Sequence, residues 1–110
     1  MDFHTLCIGC RTYRRFKQKQ IPEEILDELL ENARIANSAM NGQPLRYVLV
    51  KNPKAVQKIQ PCFHFVAALP KELGQPKEGE QPTAFIILCT EGPETPWTGI
   101  DIGIAVRTMN

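Results

Sequence analysis

Two stretches of the chain hold residue types that can do chemistry. In CIGCRTYRRF, residues 7–16, the thiols of Cys7 and Cys10 sit three positions apart and are followed by Arg11, Thr12, Arg14 and Arg15. Thiolates at that spacing are half of a metal site, or a redox pair. Guanidinium groups beside a hydroxyl instead make charge-assisted, bidentate bonds to phosphate or carboxylate. In SAMNGQP, residues 38–44, small side chains surround two carboxamides, Asn41 and Gln43, with Gly42 between them. Small residues let a flat ring approach the backbone, and each carboxamide both donates and accepts hydrogen bonds. A flavin's pyrimidine edge, with its carbonyls flanking an N–H, is one ring edge of that character.

Each stretch also has a plainer reading. Zinc needs four ligands, and the chain has one CxxC pair, Cys7 with Cys10, and a lone Cys62-Phe63-His64 in place of a second. Phe3, Leu6 and Cys7 recur at helical spacing, as in an amphipathic helix that packs a small thiol into the core. Cys7 is therefore read as a packing residue, and no metal site is expected. The arginines alone fit an exposed basic turn, and the carboxamide loop alone fits an ordinary polar turn.

Composition narrows the classes. The 110 residues suit one domain with a modest core. Hydrophobic content of 43% and charged content of 23% are ordinary for a soluble globular protein. A net charge of +1 is too small for bulk binding to nucleic acid or a membrane surface. Charge is patterned locally, with five cations and no acid over residues 11–19 and an acidic run over residues 23–31. Such runs by themselves read as solvated faces. The opening MDFHTLCIG lacks the features of a signal peptide, and no stretch approaches the roughly 18 apolar residues that span a bilayer. A cytoplasmic protein with reduced cysteines is expected.

The elements that must position these residues follow from periodicity. In PEEILDELLENARIA, Ile25, Leu26, Leu29, Leu30, Ala33 and Ala36 form one apolar stripe, with Pro22 in the first turn and Glu23 and Glu24 at the positive end of the dipole. This predicts a helix that ends at Asn37 and Ser38 and opens the carboxamide loop. LRYVLVKN reads as a strand, Asn52-Pro53 as a turn, and residues 54–60 as a short helix. Residues 70–82, with three prolines and two glycines, read as an exposed loop. TAFIILCT reads as a strand buried on both faces, and WTGIDIGIAVRTMN as a helix with a stripe through Ile100, Ile104 and Met109. That apolar pattern runs to the last residue, so the domain is expected to be incomplete at its C-terminal end.

Taken in order, the pieces resemble the N-terminal portion of the nitroreductase family of flavin enzymes. That family shows R-S-x-R-x-F, then a helix opening P-x-E-x-L, then P-S-x-x-N-x-Q-P-W before a strand. Here R-T-Y-R-R-F, I-P-E-E-I-L and S-A-M-N-G-Q-P stand in the same order. Cys10 replaces the first of two arginines common in the family, Asn37 the proline, and Leu45 the aromatic residue.

The resemblance implies an α+β fold, a mixed, mainly antiparallel sheet flanked by helices, spanning residues 1–110 as a single, incomplete domain. It implies a homodimer that holds FMN at the subunit interface. Arg11, Thr12 and Arg14 would contact the FMN phosphate, the ribityl chain or the flavin edge. Ser38, Ala39 and Asn41 would line the flavin from the facing subunit, with Gln43 supporting the loop. NAD(P)H would deliver hydride to the flavin, which would reduce a nitroaromatic, quinone or similar small-molecule acceptor. No catalytic side chain, metal, nucleic acid or membrane enters this scheme. The alternative is a non-catalytic flavin- or nucleotide-binding domain of the same fold. A zinc or cluster protein using Cys7, Cys10, Cys62 and His64 comes third.

Overall fold

The stripe in residues 25–36 becomes a helix, and the other periodic stretches become short elements around it. The computed structural model describes residues 1–110. Its elements are α1 (Phe3–Gly9), α2 (Glu23–Ile35), β1 (Leu45–Val50), α3 (Pro53–Ile59), α4 (Lys71–Gly74), β2 (Phe85–Thr90) and α5 (Thr98–Met109). Helices with an antiparallel strand pair make an α+β fold. The chain divides into two compact units, one of Met1–Lys19 with Asn52–Thr83, the other of Gln20–Lys51 with Ala84–Asn110.

In the first unit, Asp2 caps α1, its carboxylate accepting from the backbone N–H and the hydroxyl of Thr5, both at 2.9 Å. Those bonds hold the Asp2 carboxyl below its usual range. The helix forms but buries none of its residues, and Phe3 is 80% exposed. The expected packing of Cys7 is therefore corrected: the thiol is only half-buried. Two turns give a short apolar face, and Leu6 and Ile8 stay more than half exposed along with Phe3.

The reading of residues 70–82 as an exposed loop holds in part, with residues 70–73 and 77–79 exposed, and is corrected at one turn and three buried positions. Lys71–Gly74 form a helical turn, and Gly74, Pro76 and Pro82 are buried. The reason lies in the basic segment, which uses this stretch as a set of backbone acceptors. Arg15 donates to the carbonyls of Leu73 (2.9 Å) and Gly74 (3.2 Å) and pairs with Glu80 at 3.1 Å. The Phe16 N–H bonds to the Glu80 carbonyl at 2.9 Å, and the Gln18 amide to that of Gln81 at 2.8 Å. Gly74 is required by close approach, because a Cβ there would stand 2.9 Å from the Phe65 carbonyl oxygen. Phe16 and Phe65 meet edge to face with ring centroids 6.4 Å apart. Asn52 caps α3 and Pro53 occupies its first turn, one residue ahead of the expected start.

In the second unit, β1 and β2 pair antiparallel, with Leu45 opposite Thr90 and Val50 opposite Phe85. The alternation expected of β1 is visible in the exposure of Arg46 and Val48. β2 departs from its expectation of burial on both faces: its residues are half-buried and Cys89 is exposed. A two-stranded sheet leaves β2 a neighbour on one side only. α2 packs on α5, and what the pair buries is small or polar apart from Leu26: Ala33, Thr98, Asp101 and Ala105. Ile25, on the expected stripe of α2, is exposed; Ile100 and Ile104, on that of α5, are exposed too. The face of α5 that is buried runs through Thr98, Asp101 and Ala105, where small side chains allow close helix approach. Pro22 stands just before α2 and Ala36 just after it. The Tyr47 hydroxyl donates to the Ala33 carbonyl at 3.2 Å, tying the sheet to α2.

Candidate functional site

After α2 ends, Ser38 is extended and Ala39–Asn41 form one tight turn. Its closing bonds, Asn41 N–H to the Ser38 carbonyl and Gly42 N–H to the Ala39 carbonyl, are both 3.0 Å. Met40, Asn41 and Gln43 have φ of 54°, 52° and 49°, the left-handed region. For residues with a Cβ this costs on the order of 1 kcal/mol or more each. Gly42, the residue best suited to that region, instead sits at an ordinary helical φ of −68°. The strain falls on Asn41 and Gln43, the two candidate binding side chains, and on Met40.

Beyond these closing bonds, three bonds that involve side chains hold the loop, and the Arg46 guanidinium adds a fourth on the Gln43 carbonyl. The Ala39 N–H donates to Asp101 Oδ1 at 2.9 Å, and the Gln43 N–H to Ser38 Oγ at 2.9 Å. Gln43 Nε2 donates to Asn41 Oδ1 at 2.8 Å. The Ser38 oxygen and the Ala39 N–H thus serve the loop's own structure. Asn41 and Gln43 are exposed and still offer the Asn41 amide hydrogens and the Gln43 carbonyl oxygen. Donor and acceptor side by side fit the edge of a planar heterocycle. Asp101, 4% exposed on α5, is the residue that sequence reasoning passed over. Its signal was a carboxylate inside the apolar run GIDIGIAV, which must find a donor once buried.

Next to the loop lies an open cleft of about 330 Å³, lined by Ser38, Gly42 and Gln43 together with Arg34, Arg46 and Tyr47. Both arginines are committed. Arg34 forks onto Glu31 at 2.6 and 2.8 Å, lowering the Glu31 pKa and raising its own. Arg46 pairs with Glu91 and donates to the carbonyls of Gln43 and Leu45. Burial raises the Tyr47 pKa.

The basic segment lies in the first unit, the carboxamide loop in the second. The structure thus gathers Ser38, Ala39, Asn41 and Gln43 into one loop, and Arg11, Thr12 and Arg14 onto one irregular segment after α1. Arg11 donates to the Cys10 carbonyl at 3.0 Å. Arg14 and Thr12 are exposed, and the Arg14 guanidinium makes no hydrogen bond or ion pair, so it is open to an anion. All four cysteines are thiols, and no group of three or more His, Cys, Asp or Glu side chains is placed to hold a metal ion. No helix is long and apolar enough to cross a membrane.

The nitroreductase family model matches residues 9–86, a span that contains both segments. The chain belongs to the nitroreductase family. Among its relatives, a Methanothermobacter thermautotrophicus protein whose name pairs NADH dehydrogenase with NAD(P)H nitroreductase is 29% identical over 84 residues, covering 76% of this chain and 39% of the relative. An NADH dehydrogenase from Thermus thermophilus is 42% identical over 53 residues, 48% of this chain and 26% of that one. Among solved structures, an FMN-dependent nitroreductase from Clostridium difficile R20291 superposes with a TM-score of 0.73 at 22% identity, covering 96% of this chain and 52% of its own. The fold is therefore nitroreductase-like. The chain spans about a quarter to two fifths of these two curated relatives and about half of the solved structure.

Proposed function

We propose that the chain carries flavin-holding segments of an FMN-dependent oxidoreductase. In this reading NAD(P)H is the donor, a nitroaromatic, quinone or similar small molecule the acceptor, and the working form a cytoplasmic homodimer. The observation that carries the reading is the loop at residues 38–43, whose strained backbone displays Asn41 and Gln43 outward while its remaining polar groups hold it in place. The donor sets suit FMN. Arg14, with Arg11 and Thr12 beside it, offers a cation and a hydroxyl to the phosphate and ribityl chain. Asn41 offers a donor and Gln43 an acceptor to the pyrimidine edge, and Ser38 and Ala39 supply the small surfaces on which the ring rests.

FMN, when bound, supplies the hydride chemistry, which no side chain here can perform. The chain's residues have the simpler tasks of binding the phosphate, orienting the ring edge and leaving one ring face open to donor and acceptor in turn. Exposed Phe3, Leu6 and Ile8 on α1, and Ile100 and Ile104 on α5, are apolar surfaces suited to the facing subunit. The names of the relatives support the donor and the cofactor. Anaerobic addition of NADH or NADPH to the flavin-loaded protein should bleach the flavin absorbance, and a quinone or nitroaromatic should restore it. Bound flavin that neither nicotinamide reduces would contradict the oxidoreductase and leave a binding domain of the same fold.

A further inference from the structure

We infer that Asp101 is a positioning residue that locks the carboxamide loop into its ring-holding form; the part of this inference that concerns flavin rests on the functional reading above. Three observations converge on it. The loop holds Met40, Asn41 and Gln43 in the left-handed region, so its backbone does not keep this form by intrinsic preference. Two of the side-chain bonds that restrain it are internal to the loop; Arg46 on β1 holds the Gln43 carbonyl at the loop's end, and the bond from the Ala39 N–H to Asp101 Oδ1 is the one that ties its opening residues to α5. Asp101 is itself immobilised, 4% exposed on the face of α5 that packs against α2, with Thr98 one turn before it and Ala105 one turn after. A buried carboxylate accepting a backbone N–H makes a stronger bond than a neutral acceptor would, and it loses that partner if the loop relaxes. Asp101 touches no candidate ligand group. Its effect passes through Ala39 to the displayed amides of Asn41 and Gln43.

The test compares Asp101→Ala, Asp101→Asn and Arg14→Ala in the full chain. Asparagine keeps an oxygen that can accept from the Ala39 N–H, so it should rescue what alanine loses. Amide hydrogen exchange on the protein without flavin reads the lock directly. Residues 39–43 should exchange at least about tenfold faster in Asp101→Ala and near the parent rate in Asp101→Asn, with the β1–β2 amides unchanged. Titrations with FMN and riboflavin read the coupling to the ring. Asp101→Ala should weaken both by the same factor, about tenfold or more, because the loop meets the ring and not the phosphate. Arg14→Ala should weaken FMN alone. Unchanged loop exchange in Asp101→Ala, or a loss of protection spread equally over the sheet, would overturn the lock. Should the alanine variant not fold, Asp101→Asn still decides: a loop that opens despite the retained oxygen contradicts the inference. Failure of the parent chain to take up either flavin would refute the functional reading, and the exchange result would still decide the lock.

Discussion

Arg14 and Arg15 are adjacent, identical in chemistry and opposite in use. Arg15 spends its guanidinium on the carbonyls of Leu73 and Gly74 and on Glu80, so it fastens the basic segment to residues 73–80. Arg14 makes no such bond and stays exposed. Arg14→Ala should therefore cost FMN affinity, by about 1.5–3 kcal/mol for each charge-assisted bond lost, and leave the urea midpoint unchanged. Arg15→Ala should do the reverse, lowering the midpoint, with lysine a poor substitute because it cannot fork between two carbonyls. Paired denaturation and flavin titrations separate the two, and an Arg14→Ala variant with unaltered FMN affinity would remove Arg14 from the site. The sequence could not divide this labor, since the acceptors of Arg15 lie 58 and 59 residues away. What it did show was the segment's chemistry, because guanidinium and hydroxyl side by side suit an anion in any fold.

At the scale of elements, Tyr47 joins β1 to α2 through its hydroxyl and is held above the usual tyrosine range by burial. The folded state thus binds the phenolic proton more tightly than the unfolded chain does. The resulting stability is complete below the ordinary tyrosine value near pH 10 and is lost as pH rises through the folded value. Urea midpoints should fall above about pH 10, and less steeply in Tyr47→Phe than in the parent. Identical slopes in the two proteins would place the alkaline loss elsewhere. α2 was readable because its charged first turn, apolar stripe and terminal asparagine all agree. α5 was readable as a helix but not in orientation. Periodicity marks Ile100 and Ile104 as a stripe, yet the buried face is the one carrying Thr98, Asp101 and Ala105. Which stripe finds a partner depends on helix approach and on a bond to a loop 62 residues away, and neither leaves a periodic trace. The buried positions within residues 70–82, Gly74, Pro76 and Pro82, have the same origin: prolines and glycines mark irregular backbone, and parts of such backbone can be buried when arginine and glutamine side chains take up its carbonyls.

For the whole molecule, the family was legible because three motifs stand in a fixed order, and the family model's match over residues 9–86 agrees with that reading. The fold class followed from the resemblance, and the superposition on a solved nitroreductase bears it out. The two candidate segments were each legible as chemistry, a cationic segment and a carboxamide loop. The strain in the loop and its tether to Asp101 were not, because backbone dihedrals and a bond between distant residues are properties of the folded chain. The central proposal is that the chain binds FMN, with Arg14 among the residues that hold it. The most direct test is equilibrium dialysis of the purified full chain against FMN, with the bound flavin read by its absorbance and its quenched fluorescence. Saturable uptake, weakened by Arg14→Ala and little affected by Cys7→Ser, is the predicted result; a protein that stays colourless and takes up no FMN at any concentration tested would contradict it.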